Sequence, residues 1–334
     1  MKLLIATPLS PLDIGGPTIY SQNLKESFEK RGYQVAVCAY GREKILPSGL
    51  RHLLFFGKLI PKLFGSKVII ALDTFSVAGP TILAKFIFRK KVIIRIGGDF
   101  LWEEYVERTG QLVKLADFYK GNFRFSFKEK LIFTLTKFIL KHSDALIFNT
   151  VWQKNIWQEP YDLRSKNIFI ISNYYGPKEK GILPERKNFI HSTRSRKLKN
   201  SQLLKEVFAS VALVDKNFIL DDGQYTHAEL LEKIKSAYAL ILPSISDVSP
   251  NFILEGIRYN KPFILTRETG LYEQLKDIGL FIDPFNQDDI KNKILLLGND
   301  QEYKKYQQKV SQFTYVQTWH EIANQFLTII EDKI

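Results

Sequence analysis

Cysteine is almost missing from this 334-residue chain: Cys38 is the only one, and it lies inside an apolar run. No disulfide can form within the chain, and no Cys/His cluster has zinc-site spacing. A reducing, cytoplasmic compartment is the expectation. Long apolar runs are missing too. The best candidates are broken by Asp73, Lys85 and Lys137, short of the roughly 18 residues that a membrane span needs. The opening Met1-Lys2-Leu3-Leu4-Ile5-Ala6 has the look of a short leader. It runs straight into Pro8, Pro11 and Asp13, so a first β-strand is expected there. The G-x-G-x-x-G fingerprint is absent, which argues against a nicotinamide dehydrogenase. No Asp-x-Asp pair is present to hold a diphosphate-bound metal, and no metal site is expected. No helix-turn-helix, RRM or zinc motif speaks for a nucleic-acid partner. Internal repeats and low-complexity tracts are lacking as well.

What is present is an ordinary globular composition, 45% hydrophobic and 25% charged, at a length that fits about two domains. The net charge of +13 is unevenly placed. Residues 1–175 hold 26 basic and 14 acidic side chains, and the remainder holds 22 and 21. Such an excess favours an anionic surface, although a solvated basic surface would look the same in sequence.

Short apolar runs alternate with amphipathic stretches. Strands are expected at Leu3–Thr7, Gln34–Ala39, Val68–Leu72, Val92–Ile96, Ala145–Phe148 and Ile168–Ile171. A helix is expected over Thr18–Arg31, with Tyr20, Leu24 and Phe28 on its inner face, and another with Leu131, Ile132, Leu135, Phe138 and Ile139 on one face. Gly176, Pro177, Gly181 and Pro184 make Tyr174–Lys187 a linker. The pattern restarts with strands at Phe189–Ser192, Phe218–Leu220, Ala239–Leu242, Phe263–Thr266 and Leu280–Ile282. Thr226 and Glu229 form a capping box for a helix to Ser236, and helices Asp288–Leu297, Glu302–Val310 and Thr318–Ile330 close the chain. Alternation of this kind implies parallel sheets, hence an α/β chain of two Rossmann-like domains. The division expected is 1–175, 176–315 and a last helix, 316–334, returning to the first domain.

Three motifs carry chemistry. Ile14-Gly15-Gly16-Pro17 precedes the first helix, where small residues let backbone approach a ligand and the helix N-terminus favours phosphate; a plain tight turn is the alternative. Arg194-Ser195-Arg196-Lys197-Leu198-Lys199 follows the first strand of the second half, where open α/β sheets bind ligands. Arg194 offers a fork for phosphate and Lys199 a point charge; an exposed basic loop is the alternative. Asp247-Val248-Ser249-Pro250-Asn251-Phe252-Ile253-Leu254-Glu255 places two carboxylates around a helix start whose N–H groups can hold a phosphate. A solvated Asp and a helix-surface Glu are the alternative here.

The stretch from Leu242-Pro243-Ser244 through Asp247 to Glu255-Gly256, followed by Asn260-Lys261-Pro262, resembles the hallmark of the family-4 retaining glycosyltransferases of the GT-B fold (glycosyl transferases group 1). That family carries two Glu separated by seven residues after a Pro-Ser strand end. Arg194 and Lys199 fall on its diphosphate-binding pair, and Asn200 with Leu203-Leu204 continues the match. Gly223 through Leu230 is similar to its G-x-V-S-H-E-E-L stretch, and Gly15-Gly16 to its acceptor-side glycine loop. Asn173 and Trp319 match its Asn before the linker and its late Trp. The matches run in the family's order from about Met1 to about Ile330.

The resemblance implies metal-independent transfer of a sugar, with retention, from a UDP- or GDP-sugar to a hydroxyl acceptor such as a sugar or a lipid-linked or cell-envelope glycan. Donor contacts would come from Gly16, Arg194, Lys199, Asp247, Ser249, Pro250, Asn251, Phe252 and Glu255, and acceptor contacts from Gly15, Gly16 and Asp99. Asp99, Arg194, Lys199 and Asp247 would be catalytic. No cofactor is implied. Asp247 is one methylene shorter than the family's first Glu, and the stretch between Lys205 and Asn217 lacks room for a further strand and helix near the nucleobase. A histidine common in the first domain's active loop is replaced by Arg95-Ile96-Gly97-Gly98-Asp99-Phe100-Leu101-Trp102-Glu103, similar to a Gly-Asp-Phe-x-Trp-Glu variant of the family. There Asp99 either acts on the acceptor hydroxyl or caps the following helix. The departures leave a non-catalytic nucleotide-sugar-binding protein as the rival. Finally, His52–Phe64 and Phe123–Lys128 mix Leu and Phe with Lys or Arg, so docking of the first domain on an anionic membrane is expected. Burial of Leu53, Leu54 and Phe56 in the core, with Pro61 interrupting the helix, is the alternative.

Overall fold

The structure, a computed structural model, describes residues 1–9, 16–193 and 195–332. The chain divides into two compact units, Met1–Leu101 with Phe123–Asn173 and Trp319–Ile334, and Trp102–Asn122 with Tyr174–Thr318.

The first unit begins with strand β1 (Lys2–Thr7), whose Leu3, Leu4, Ile5 and Ala6 are fully buried, as expected for a strand covered on both faces. There follow along the chain α1 (Gly16–Glu29), β2 (Gln34–Ala39), α2 (Ser48–Leu63), β3 (Ser66–Ala71), α3 (Ala78–Phe88), β4 (Lys91–Ile96), α4 (Phe100–Thr109), α5 (Leu115–Phe118), α6 (Phe127–His142), β5 (Ala145–Phe148), α7 (Val151–Gln158) and β6 (Ile168–Ile170), of which α5 and nearly all of α4 fall in the second unit. The six strands are parallel in the order β2-β1-β3-β4-β5-β6. Right-handed crossovers then put α2, α3 and α6 together on one face of the sheet and α1 on the other.

The second unit continues with β7 (Lys187–Ile190), a 3₁₀ turn (Lys197–Lys199), α8 (Ser201–Ala212), β8 (Phe218–Asp221), α9 (His227–Ser236), β9 (Ala239–Leu242), α10 (Asn251–Arg258), β10 (Phe263–Thr266), α11 (Tyr272–Leu275), β11 (Leu280–Ile282), α12 (Gln287–Leu297) and α13 (Asp300–Gln312). Its five strands are parallel in the order β11-β10-β9-β7-β8. One core, around Phe189, Phe208, Ile264 and Ile294, fills one side of this sheet. A second, around Leu240, Leu254, Leu265 and Leu275, fills the other. The last helix, α14 (Trp319–Asp332), packs on α1 in the first unit, with Tyr20 against Trp319 at 5.0 Å and Phe28 against Phe326 at 6.3 Å between ring centroids.

Each strand read from alternation is present, its ends moving by no more than two residues. The α/β reading of two parallel-sheet domains holds. Two expectations need correction. Helix α6 does not bury the face drawn through Leu131, Ile132, Leu135, Phe138 and Ile139. It buries Glu129, Ile132, Thr136, Ile139 and Leu140, leaving Leu131, Leu135 and Phe138 between 38% and 47% exposed. The apolar arc of this helix is wider than the sheet can cover, so spacing alone does not pick the buried half. The segment 102–122, numbered within the first half, belongs to the second unit. The Leu115 N–H donates to Ser246 Oγ at 2.9 Å, Lys114 pairs with Glu268 at 3.2 Å, and the Lys197 N–H donates to Glu107 at 2.7 Å.

Candidate functional site

In the second unit the strand order turns back on itself at β7, with β8 on one side and β9 on the other. A ligand crevice is expected outside the carboxyl ends of β7 and β9. Both ends deliver chemistry-bearing loops. Directly after β7 stands His191, which the sequence reading passed over. It is 2% exposed, with Nδ1 3.1 Å from the Ile241 carbonyl and Nε2 2.9 Å from Ser201 Oγ. A carbonyl only accepts, so Nδ1 carries the proton and the Ser201 hydroxyl donates to Nε2. Burial drives the pKa of His191 down to about 4, and the ring is neutral. His191 thereby ties the start of α8 to β9. A lone histidine at a strand end gives sequence reasoning nothing to hold.

Arg194 lies outside the described residues. The 3₁₀ turn that follows brings Lys199 Nζ to 2.7 Å from Asp247 Oδ2, and both side chains keep some exposure, 20% and 14%. Two expected donor residues from the two loops therefore meet at the switch point. The backbone builds this meeting. The Ile245 N–H donates to the Leu198 carbonyl at 2.9 Å, fastening the loop after β9 to the 3₁₀ turn. The Asp247 N–H donates to the Glu268 carbonyl at 2.9 Å, and Asp247 bridges Thr269 beyond β10. Asn200, in the left-handed region at φ 58°, turns the chain into α8 and donates to the Pro284 carbonyl at 2.7 Å. Nearby Ser244 Oγ is fully buried and has no hydrogen-bond partner among the described residues.

Pro250 is the N-cap of α10 and provides no side-chain cap. It is buried, Asn251 is exposed, and Ser249 and Phe252 are half-buried. Glu255 on α10 accepts from His227 Nε2 at 2.7 Å. That hydrogen bond raises the pKa of His227 against the opposing effect of burial. His227 is placed as the first residue of α9 by the Thr226–Glu229 capping box. Gly256 explains how Glu255 is presented: a Cβ there would lie 2.7 Å from the Leu240 side chain, so only glycine lets α10 press this closely on β9. The two carboxylates thus have distinct companions, Lys199 for Asp247 and His227 for Glu255. Alongside the edge strand β8, a cavity of about 700 Å³ is lined by Asn188, Asp221, Asp222, Gly223, Tyr225 and Lys233. Burial pushes the Asp221 carboxyl up, but hydrogen bonds from Tyr225 and Lys233 outweigh this and hold it below its ordinary value.

In the first unit Gly15 and Ile14 lie outside the described residues, and Gly16 opens α1. Asp99 follows β4, is 1% exposed, and accepts from Trp157 Nε1 at 2.8 Å. Its neighbour at the strand end is the second feature missed in sequence. Arg95 is 6% exposed, its guanidinium 3.6 Å from the centre of the Tyr20 ring and its Nη2 2.5 Å from Asn173 Oδ1. Arg95 Nε, Tyr20 Oη, Asn149 Oδ1, Gln153 Oε1 and Thr7 Oγ1 are all buried and have no hydrogen-bond partner among the described residues. Unsatisfied polar atoms are costly inside a protein, and a cluster of them at the carboxyl ends of β1, β4 and β5 marks a place where polar ligand atoms fit. Among the described residues no three His, Cys, Asp or Glu side chains converge as metal ligands.

No family model matches the chain, and no curated protein sequence matches it. Solved structures do. A sucrose-phosphate synthase from Thermosynechococcus elongatus superposes with TM-score 0.76 at 13% identity, covering 98% of each chain. HepE of Anabaena, solved with UDP, gives 0.65 at 12% identity over 98% of this chain and 99% of its own. WaaB, a lipopolysaccharide outer core galactosyltransferase, gives 0.62 at 14% identity over the whole of both chains. Matches of this length, joined to two parallel sheets of six and five strands, establish that the chain has the GT-B glycosyltransferase fold.

Proposed function

We propose that the protein is a retaining, metal-independent glycosyltransferase that moves a sugar from a UDP- or GDP-sugar to a hydroxyl acceptor. The observation that carries this reading is the meeting of Lys199 and Asp247 at the β7/β9 switch point, with Glu255 on the helix that follows. A nucleoside diphosphate-sugar has three parts to hold, and this site has a group for each. Lys199 and the N-terminus of α10 would face the diphosphate, whose charge grows as the glycosidic bond breaks, and the family resemblance adds Arg194 to this role. Asp247 takes sugar hydroxyls, and Glu255 takes the ribose. Ser249, Pro250, Asn251 and Phe252 shape the loop between them. The acceptor oxygen attacks the anomeric carbon on the face that the diphosphate leaves, and its proton passes to the departing phosphate oxygen. Asp99, with almost no exposure and a bond to Trp157, orients the acceptor-side turn that follows β4. The buried polar cluster around Arg95 receives the acceptor, and the family resemblance adds Gly15 and Gly16 to this role. HepE was solved with UDP, which supports the nucleotide class. WaaB acts on lipopolysaccharide outer core, which supports a lipid-linked or cell-envelope glycan and a peripheral position on the cytoplasmic face of a membrane.

The fold alone does not fix a reaction. The five-stranded second sheet, with β8 at its edge, favours one rival: a nucleotide-sugar-binding protein without turnover. Incubation of the protein with a panel of UDP- and GDP-sugars, read by mass spectrometry, separates the two. Release of nucleoside diphosphate, and its acceleration by added acceptors, is the expected result. Tight binding with no release from any donor would leave the rival.

A further inference from the structure

The helix layer α2–α3–α6 presents no acidic side chain outward. Helices α2 and α3 contain none, and the single acid of α6, Glu129, is 3% exposed and closes a capping box with Ser126. Of the acids close by, Glu43 is paired with Lys58 and Asp144 with Lys85 and Lys91. Asp73 accepts from the backbone N–H groups of Val77 and Ala78 at the start of α3. What the layer presents is apolar. On α6, Phe127 (85% exposed), Leu131, Leu135 and Phe138 run along one stripe; on α3, Leu83, Phe86 and Ile87 do the same. The stripes join where the Phe86 ring lies 6.4 Å from Phe138 and 5.5 Å from His142. Helix α2, packed on α3, adds Leu50, Leu53 and Leu54. Pro61 does not interrupt it, and Leu53 at 65% exposure is not core. Arg89, Lys128, Lys130 and Lys141 are exposed around these stripes, and none forms an ion pair with a described residue.

Single exposed leucines need no explanation, but a run of them across three adjacent helices does. Soluble surfaces intersperse both signs of charge, and protein interfaces are depleted in lysine. Apolar side chains on three helices whose own exposed charges are all cations match the chemistry of a bilayer surface with negative headgroups; the exposed acids Glu159 and Asp162 lie off these helices, flanking Tyr161, which packs on Phe133 of α6. We propose that the α2–α3–α6 layer is the surface on which the protein docks to an anionic lipid membrane. Phe86, Ile87, Phe127, Leu131 and Phe138 enter the headgroup boundary, and the rim cations meet lipid phosphates. This deepens the peripheral part of the function proposed above and does not depend on the transfer chemistry.

Flotation of the full chain with vesicles tests it. Binding is expected to phosphatidylglycerol mixed with phosphatidylcholine, not to phosphatidylcholine alone, and is expected to weaken as salt rises. The double substitution Phe86→Ser/Phe138→Ser should lower partitioning at least about tenfold. Lys128→Gln/Lys141→Gln should lower it about fivefold per cation and flatten the salt dependence. Circular dichroism checks that each variant is folded. Phe127→Trp, at a position with almost no packing to lose, gives a second measurement: its fluorescence should shift to the blue on vesicles and be quenched by lipids brominated near the headgroup. No flotation with anionic vesicles at low salt overturns the proposal. So does binding unchanged by the Phe86/Phe138 substitutions, or a patch found to be covered by a second copy or an acidic protein instead of lipid. Vesicle binding by a protein that turns over no nucleotide-sugar supports the docking surface and counts only against the transferase reading.

Discussion

The two units share one plan, a parallel sheet whose strand order reverses once, yet the polar groups at the carboxyl ends of their strands differ in how far they are satisfied. In the second unit the titratable groups described at the switch point are paired, His191 on Ile241 and Ser201, Lys199 on Asp247, Glu255 on His227, and the buried polar atoms left without a partner there are the neutral Ser244 Oγ and Asn188 Oδ1. In the first, Arg95, Tyr20, Asn149, Gln153 and Thr7 leave buried polar atoms unpaired. A finished site and an open one suit different tasks. The donor of a group transfer carries charge that must be met by groups already in place, because reorganisation at the moment of reaction costs rate. An acceptor brings hydroxyls that can supply the missing hydrogen bonds themselves.

If the finish of the second unit is structural, removing its anchor should show in stability first. His191 is neutral when folded, at a pKa of about 4, and has the ordinary 6.5 when unfolded. Between those values the unfolded state binds more protons, so stability falls as pH drops below 6.5 and levels off near 4. The whole effect amounts to at most about 3 kcal/mol. Urea unfolding across this range should show that slope in the wild type. His191→Gln should be less stable at neutral pH but lack this part of the slope, so that the two proteins converge as pH falls. An equal slope in both proteins would assign the acid sensitivity elsewhere. Next in size is Lys199→Ala, which should lower turnover at least tenfold, about 1.4 kcal/mol, with little change in thermal stability. Near-wild-type turnover would remove Lys199 from the leaving group.

The comparison was only half visible in sequence. The second unit was legible because its chemistry is contiguous: Asp247 to Glu255 is one loop and one helix start, and Thr226 with Glu229 announces the helix that carries His227. Strand positions were legible throughout because buried parallel strands are plain apolar runs. The polar cluster of the first unit was not, since Thr7, Tyr20, Arg95, Asn149 and Gln153 come from five separate elements and only the sheet brings them together. His191 was hidden for the same reason: its partners lie ten and fifty residues away. The face drawn through Leu131, Ile132, Leu135, Phe138 and Ile139 of α6 mixes buried and exposed residues because Leu, Ile and Phe occupy both sides of the helix, and the distinction matters, for its exposed part belongs to the proposed membrane face. Asp99 sat where an acceptor-facing acid was expected, but the Trp157 indole that holds it is fifty-eight residues on.

Glu255 sharpens the contrast within the second unit itself. Placed on the ribose, it serves the nucleotide and not the sugar. Glu255→Gln keeps the shape and the contact with His227 but loses the charge-assisted hydrogen bond. Affinity for the bare nucleoside diphosphate and for the sugar nucleotide should fall together, each about tenfold. Calorimetric titration of the two ligands reads this directly. An unchanged affinity for the bare nucleoside diphosphate would take Glu255 off the ribose.

The smallest effect expected is also the most selective. Asp247 has its carboxylate fixed by Lys199 and its backbone fixed by Glu268 and Gly270, so its reach is set by one side-chain methylene. Asp247→Glu lengthens that reach while keeping the charge and, given the flexible lysine, the ion pair. If the carboxylate meets the hydroxyls of the donor sugar, the longer side chain displaces its oxygens by about one C–C bond, enough to misalign a hydrogen bond with one sugar and align it with another. The order of preference among UDP- and GDP-sugars should then change by a few-fold, while affinity for the bare nucleoside diphosphate stays the same. Two measurements on one variant suffice: competition among donors for turnover, and titration with the nucleoside diphosphate. A loss of nucleotide affinity would move Asp247 from the sugar to the diphosphate, and the division of labour between the two carboxylates would have to be redrawn around Glu255 alone.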